Sequence, residues 1–119
     1  MTTPDLIMTG VALLAGGFVL KTLFGRMQRI SKAALLELTR QGAQVVDVRT
    51  PQEFAQGHAK GSRNIPLDEL AARVKELEQG KPIVVCCASG ARSSMAKSLL
   101  ERAGFPSVHN AGPWQSVSI

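Results

Sequence analysis

Ile83-Val84-Val85-Cys86 is an unbroken apolar run, too short for a helix and without polar residues at alternate positions. It therefore reads as a strand buried on both faces, the kind found in parallel sheets. It runs directly into Cys87-Ala88-Ser89-Gly90-Ala91-Arg92-Ser93 and then into a helical pattern ending near Ala103. A strand, a tight glycine-containing loop and a helix thus follow one another. The remaining segments fit that scheme. Ser31 can cap a helix carrying Ala33, Leu35, Leu36 and Leu38 and ended by Gly42. Gln44-Val45-Val46-Asp47-Val48 is a second compact strand, a short helix can start at Gln52-Glu53-Phe54, and residues 57–61 form a loop. Leu67, Leu70, Val74 and Leu77 recur at helical spacing, with Asp68 and Glu69 at the favourable N-terminal end and Gly80 beyond. The helix after the cysteine loop is expected to turn Met95, Leu99 and Leu100 inward and to stop at Gly104, and Val108 marks a last short strand. The expected fold is α/β, a parallel sheet covered by helices on both faces. In such sheets ligands sit beyond the C-terminal strand ends, which is where Cys87 falls.

A cysteine at that position is suited to hold a charged sulfur. Loop N–H groups and a helix N-terminus both favour an anion, which lowers the thiol pKa and makes a nucleophile. Cys86 is expected to point away from Cys87 into the core, because side chains alternate along a strand. The two adjacent cysteines give neither a disulfide framework nor a CxxC metal pair, so free thiols in a reducing compartment are expected, with no metal and no cofactor. Asp47 and Arg49 are expected to brace the loop region by hydrogen bonds and ion pairing, together with Glu53. His58 reads as a hydrogen-bonded structural residue and His109 as a strand-end residue. Ser89 can donate to bound sulfur, Ser93 reads as the helix cap, and Trp114 as a packing anchor.

The 119 residues suffice for one domain, and the N-terminal part is distinct. Residues 6–20 hold no charge, and Thr22-Leu23-Phe24 extend the stretch if Lys21 snorkels. At ~1.5 Å per residue, residues 6–24 would span roughly 28 Å as a helix, close to a hydrocarbon core of ~30 Å. A cleaved secretory signal would carry its basic residues before the apolar run and a small-residue site after it; here they follow, as Lys21, Arg26 and Arg29. A helix of a soluble core would show a polar face. A single membrane span is therefore expected, with the domain on the cytoplasmic side. Ala12 and Gly16 form a small-xxx-small pair on which two spans can pack. This divides the chain into an anchor and linker, 1–30, and a domain, 31–119. Residues 1–32 carry four basic residues and one acid, most of the net charge of +5. With the excess gathered there and no basic-aromatic interleaving, nucleic acid is not an expected partner.

Four separated motifs fit one family in order and spacing. They are Asp47-Val48-Arg49-Thr50-Pro51-Gln52-Glu53-Phe54, Gly57-His58, Gly61 with Asn64-Ile65-Pro66-Leu67, and the 87–93 loop. Over about residues 30–115 the chain resembles the rhodanese homology domain. The resemblance implies a sulfurtransferase that carries sulfane sulfur as a persulfide on Cys87. The loop Ala88, Ser89, Gly90, Ala91, Arg92 and Ser93 would cradle it, with Arg92 as the loop cation. A small anionic donor such as thiosulfate and a thiol or cyanide acceptor would be the substrates. Three departures stand out. Ala88 replaces a frequent Arg, so the loop charge rests on Arg92 and thiosulfate as the donor is in question. Ala59-Lys60 replaces a frequent Ile-Pro pair, with packing consequences. Ile119 follows soon after Trp114, so the closing helix is expected to be short or absent. Two alternatives remain at this point. One is a membrane-anchored persulfide carrier that hands sulfur to a protein partner. The other is a phosphatase or arsenate reductase of the Cys-x5-Arg type, for which Cys86 and Arg92 have the spacing but Val85 occupies the position of the usual His.

Overall fold

The computed structural model describes residues 29–118, and the expected membrane span over 6–24 and its Ala12/Gly16 pair lie outside the described residues. Among the described residues no helix is long and apolar enough to cross a membrane. The elements in chain order are α1 (Lys32–Arg40), β1 (Gln44–Asp47), α2 (Pro51–Ala55), β2 (Arg63–Asn64), α3 (Leu67–Arg73), β3 (Ile83–Cys87), α4 (Ala91–Arg102) and β4 (Val108–Pro113), with 3-10 turns at Val74–Glu76 and Trp114–Val117. The strands form one parallel sheet in the order β2-β1-β3-β4. This is the expected α/β architecture.

All five residues of β3 are buried. Val84 and Cys86 face one layer with Leu35, Leu38, Ala111 and Val117, under α1. Ile83, Val85 and Cys87 face the other with Leu70, Ala96, Leu100 and Phe105, under α3 and α4. Alternation along a strand thus sorts two adjacent cysteines into opposite layers. β4 carries a bulge: Val85 pairs with Asn110 but Cys86 pairs with Gly112, leaving Ala111 unpaired. Bulges re-aim the side chains beside them, and this one lies next to the end of β3.

Two sequence expectations are corrected. The helix expected to run through Leu77 ends at Arg73, and the chain tightens into the 3-10 turn. Leu77 itself is extended, and its N–H bonds the Val74 carbonyl at 3.1 Å. That turns Leu77 into the core while Arg73 and Glu76 stay paired at 2.7 Å on the surface. Met95 does not point inward; it is 63% exposed, and α4 buries Ser93, Ala96 and Leu100 instead. The inward position in the first turn belongs to a serine, so apolar periodicity assigns the wrong phase.

That phase predicts a contrast measurable by chemical denaturation. Met95→Lys should change stability by less than about 0.5 kcal/mol. Ala96→Leu, one residue along and fully enclosed, should cost about 1–3 kcal/mol by overpacking.

Candidate active site

β3 delivers Cys87 to the C-terminal edge of the sheet, and the loop that follows folds back over its sulfur. Gly90 makes the turn with φ +105°, a left-handed conformation natural to glycine and strained for other residues. Its N–H donates to Cys87 Sγ at 3.0 Å, and the Ser93 N–H donates at 3.4 Å. Gly90 is also the N-cap of α4, so the positive end of the helix dipole faces the sulfur. Burial alone would raise the Cys87 pKa. The Ser93 hydroxyl and the N–H groups of Ser93, Gly90 and Ser89 outweigh it and hold the thiol below its ordinary value. Cys87 is only 1% exposed, so only a slender group reaches its sulfur.

Ser93 is not the helix cap; no side chain caps α4. Its Oγ lies 3.4 Å from Cys87 Sγ, 2.7 Å from Asn110 Oδ1 and 3.1 Å from the Gly90 carbonyl. One hydroxyl proton thus has three acceptors within reach. Asn110, 2% exposed, is the site residue that sequence reasoning missed. Its Oδ1 also accepts from the Gly112 N–H at 2.8 Å, and its Nδ2 donates to the Gly90 carbonyl at 3.3 Å. The available signal is a polar residue next to Ala111 in the last strand, where His109 is polar as well.

Arg92 is not a free loop cation. Its Nη1 and Nη2 donate to the two carboxylate oxygens of Glu53 at 2.6 and 2.9 Å. That pairing, with the Thr50 N–H bond of a complete capping box, brings the Glu53 pKa down to about 2. Glu53 was expected beside Arg49, but only its backbone carbonyl meets Arg49, at 3.3 Å. Arg49 pairs instead with Asp47, its Nε and Nη2 donating at 2.7–3.0 Å in a pair that is almost wholly buried. Arg49 Nη2 also donates to the Gly57 carbonyl at 2.8 Å, and the guanidinium lies 4.8 Å over the Trp114 ring. Asn64 Nδ2 donates to the carbonyls of Asp47 and Arg49.

The other sequence-derived residues fall as follows. Ala88, Ser89 and Ala91 are exposed on the outside of the loop. His58 stacks on Phe54, centroids 3.7 Å apart, with Nδ1 2.9 Å from the Phe54 carbonyl, and makes no hydrogen bond to the loop. Cys86 lies in the opposite layer, where burial first and the nearby Asp47 carboxylate next push its thiol up to about 12. That removes the premise of the Cys-x5-Arg reading, since Cys86 is turned from the loop and Arg92 is bound to Glu53. Among the described residues no cluster of three or more His, Cys, Asp or Glu side chains is placed to hold a metal ion.

The family model for the rhodanese-like domain matches residues 31–112. Thiosulfate sulfurtransferase GlpE of Pseudomonas aeruginosa is 37% identical over 94 residues, covering 76% of this chain and 86% of that protein. The Bacillus subtilis protein YqhL is 41% identical over 86 residues, covering 70% of this chain and 68% of that one. The crystal structure of a rhodanese-related protein from Thermoplasma volcanium superposes with a TM-score of 0.65 at 38% identity, over 76% of this chain and 89% of that one.

The two thiols should separate by pH. A neutral alkylating agent such as iodoacetamide reads thiolate, so its rate at Cys87 should rise with pH with a midpoint below the 9.0 of an ordinary thiol. Cys86 should stay unmodified until about pH 12 or until the chain unfolds, as located by fragment-ion mass spectrometry.

Proposed function

The chain belongs to the rhodanese-like domain family, and we propose that it is a sulfurtransferase working through a persulfide on Cys87. The observation that carries this reading is the sulfur of Cys87 at the head of α4, accepting the Gly90 and Ser93 N–H groups. In the first half-reaction the Cys87 thiolate attacks the outer sulfur of a donor such as thiosulfate. A new S–S bond forms, the donor's S–S bond breaks, and sulfite leaves with the electron pair. In the second, a thiolate or cyanide attacks the outer sulfur of the persulfide, and the Cys87 thiolate is the leaving group. This is covalent catalysis in two steps, with ping-pong kinetics. The cradle lowers the Cys87 pKa and so favours the thiolate without a histidine base. The N–H cradle stabilises negative sulfur before and after transfer. The names of GlpE and of PspE from Escherichia coli, both thiosulfate sulfurtransferases, support this chemistry.

The proposal extends to place. Residues 6–24 anchor the chain in a membrane as a single span, and the domain faces the cytoplasm, the side indicated by Lys21, Arg26 and Arg29. The Glu53–Arg92 pair favours a second reading. With Arg92 compensated and Ala88 uncharged, anionic donors gain little attraction from residues 88–93 themselves. A carrier that takes sulfur from one protein partner and passes it to another fits that thin charge.

The central test is mass spectrometry of the full chain in carbonate-washed membranes after exposure to thiosulfate. A gain of one sulfur atom on Cys87 is expected, lost in Cys87→Ser and kept in Cys86→Ala; the reverse pattern, or a chain released by the wash, overturns the site or the anchoring. Multiple-turnover rates far below the single-loading rate would mark a carrier. Glu53→Gln keeps a side chain able to complete the capping box but frees Arg92. It should raise the loading rate by thiosulfate about two- to tenfold while leaving that by a neutral thiosulfonate unchanged.

A further inference from the structure

Arg29 stands five residues beyond the apolar stretch 6–24, in what the sequence presents as linker. Three contacts nevertheless hold it, two against β4 and one on the cysteine loop. The neighbouring Ile30 N–H donates to the Asn110 carbonyl at 2.9 Å, which pins the backbone along β4. The Arg29 stem crosses Gly112 so closely that a Cβ there would stand 2.5 Å from both its Cδ and Nε. Gly112 also has φ +76°, so this path is open only over a glycine. Finally, Arg29 Nη2 donates to the Ser89 carbonyl at 3.3 Å.

That last acceptor is the back of the peptide unit whose front holds the sulfur. In a trans peptide the carbonyl and the following N–H point in opposite directions, and the described residues contain no cis bond. The Ser89 carbonyl points outward to Arg29 because the Gly90 N–H points inward to Cys87 Sγ. We propose that Arg29 is a positioning residue for the nucleophile: it clamps the Ser89–Gly90 peptide and polarises it, aiming and strengthening the N–H that Cys87 receives. A cation on the carbonyl draws electron density along the peptide and makes the N–H a better donor, as in any chain of hydrogen bonds. It also opposes rotation of a loop peptide flanked by Ser89 and a glycine. Among the described residues no carboxylate forms a salt bridge with Arg29. The other charges facing the site are the Arg92–Glu53 pair on the loop side and the Asp47–Arg49 pair at the end of β1, each internally compensated.

The proposal deepens the persulfide reading by naming what tunes its sulfur. Its readout is ionisation of the free thiol, so it stands or falls separately from sulfur loading. The pH profile of Cys87 alkylation is measured on the full chain with iodoacetamide, neutral, and iodoacetate, anionic, for wild type, Arg29→Ala and Arg29→Lys. Arg29 is exposed, and far-UV circular dichroism confirms that the variants fold. In Arg29→Ala the midpoint should move up by about 0.5–1 pH unit, slowing both reagents about three- to tenfold at neutral pH. Arg29→Lys should recover part of the shift. An iodoacetamide profile in Arg29→Ala that superimposes on wild type overturns the proposal. So does a loss confined to iodoacetate, which would make Arg29 a plain attractor of anions at the loop mouth.

Discussion

The buried pair between Asp47 and Arg49 is the frame on which the site hangs. Asp47 ends β1, and Arg49, two residues on, returns both Nε and Nη2 to its carboxylate. The rest of the guanidinium fastens three other parts of the chain: the carbonyls of Glu53 and Gly57 and the face of Trp114. Removing one partner of such a pair leaves a buried uncompensated charge, worth about 3–5 kcal/mol. That is a large share of a domain stability of about 5–15 kcal/mol. The pair therefore holds the C-terminal part of α2 and the residues just beyond it, and α2 carries Glu53. Glu53 in turn fixes Arg92 at the start of α4. A chain of contacts runs from the edge of β1 to the loop around Cys87 without involving the sulfur itself.

The sulfur is stabilised by a different kind of group. Around Cys87 the decisive donors are neutral: the backbone N–H groups of Ser89, Gly90 and Ser93 and the Ser93 hydroxyl. The Arg92 guanidinium is bidentate on a carboxylate, and at an exposure of about one third the pair is screened as well. Fixed dipoles lower the thiol pKa here with no cation hydrogen-bonded to the sulfur itself. The design thus separates making the nucleophile from attracting the substrate. The first is complete in the loop. The second is weak, consistent with a donor that arrives by docking rather than by charge.

The strand–cysteine–loop–helix order, the two strands at 44–48 and 83–86, and the opposite facing of Cys86 were legible because each rests on local pattern and the period of a strand. What escaped has a common cause: it depends on polar groups turned inward or on partners distant in sequence. Ser93 takes an inward position in α4, so apolar periodicity put Met95 in the core where it does not belong. Glu53 and Arg92 are thirty-nine residues apart, and spacing could only offer Glu53 to the nearer Arg49. Asn110 is one of two polar residues in Val108-His109-Asn110-Ala111, and the bulge that leaves Ala111 unpaired has no signature in that run.

The bulge and the nucleophile belong to one arrangement. Slipping the β3–β4 register by one residue leaves the Gly112 N–H facing the Asn110 side chain, and Asn110 Oδ1 accepts it at 2.8 Å. The same oxygen accepts the Ser93 hydroxyl at 2.7 Å. While Cys87 is a thiol, Ser93 gives its proton to Asn110 and its oxygen can accept the S–H. When Cys87 ionises, that hydroxyl can turn to the sulfur 3.4 Å away. Asn110 loses one donor and keeps the other, so no buried acceptor is stranded. Ionisation then requires rotation of one hydroxyl and no movement of the backbone. A defect in the sheet provides the alternative acceptor that makes this exchange possible, and the thiolate forms in a cradle already shaped for it.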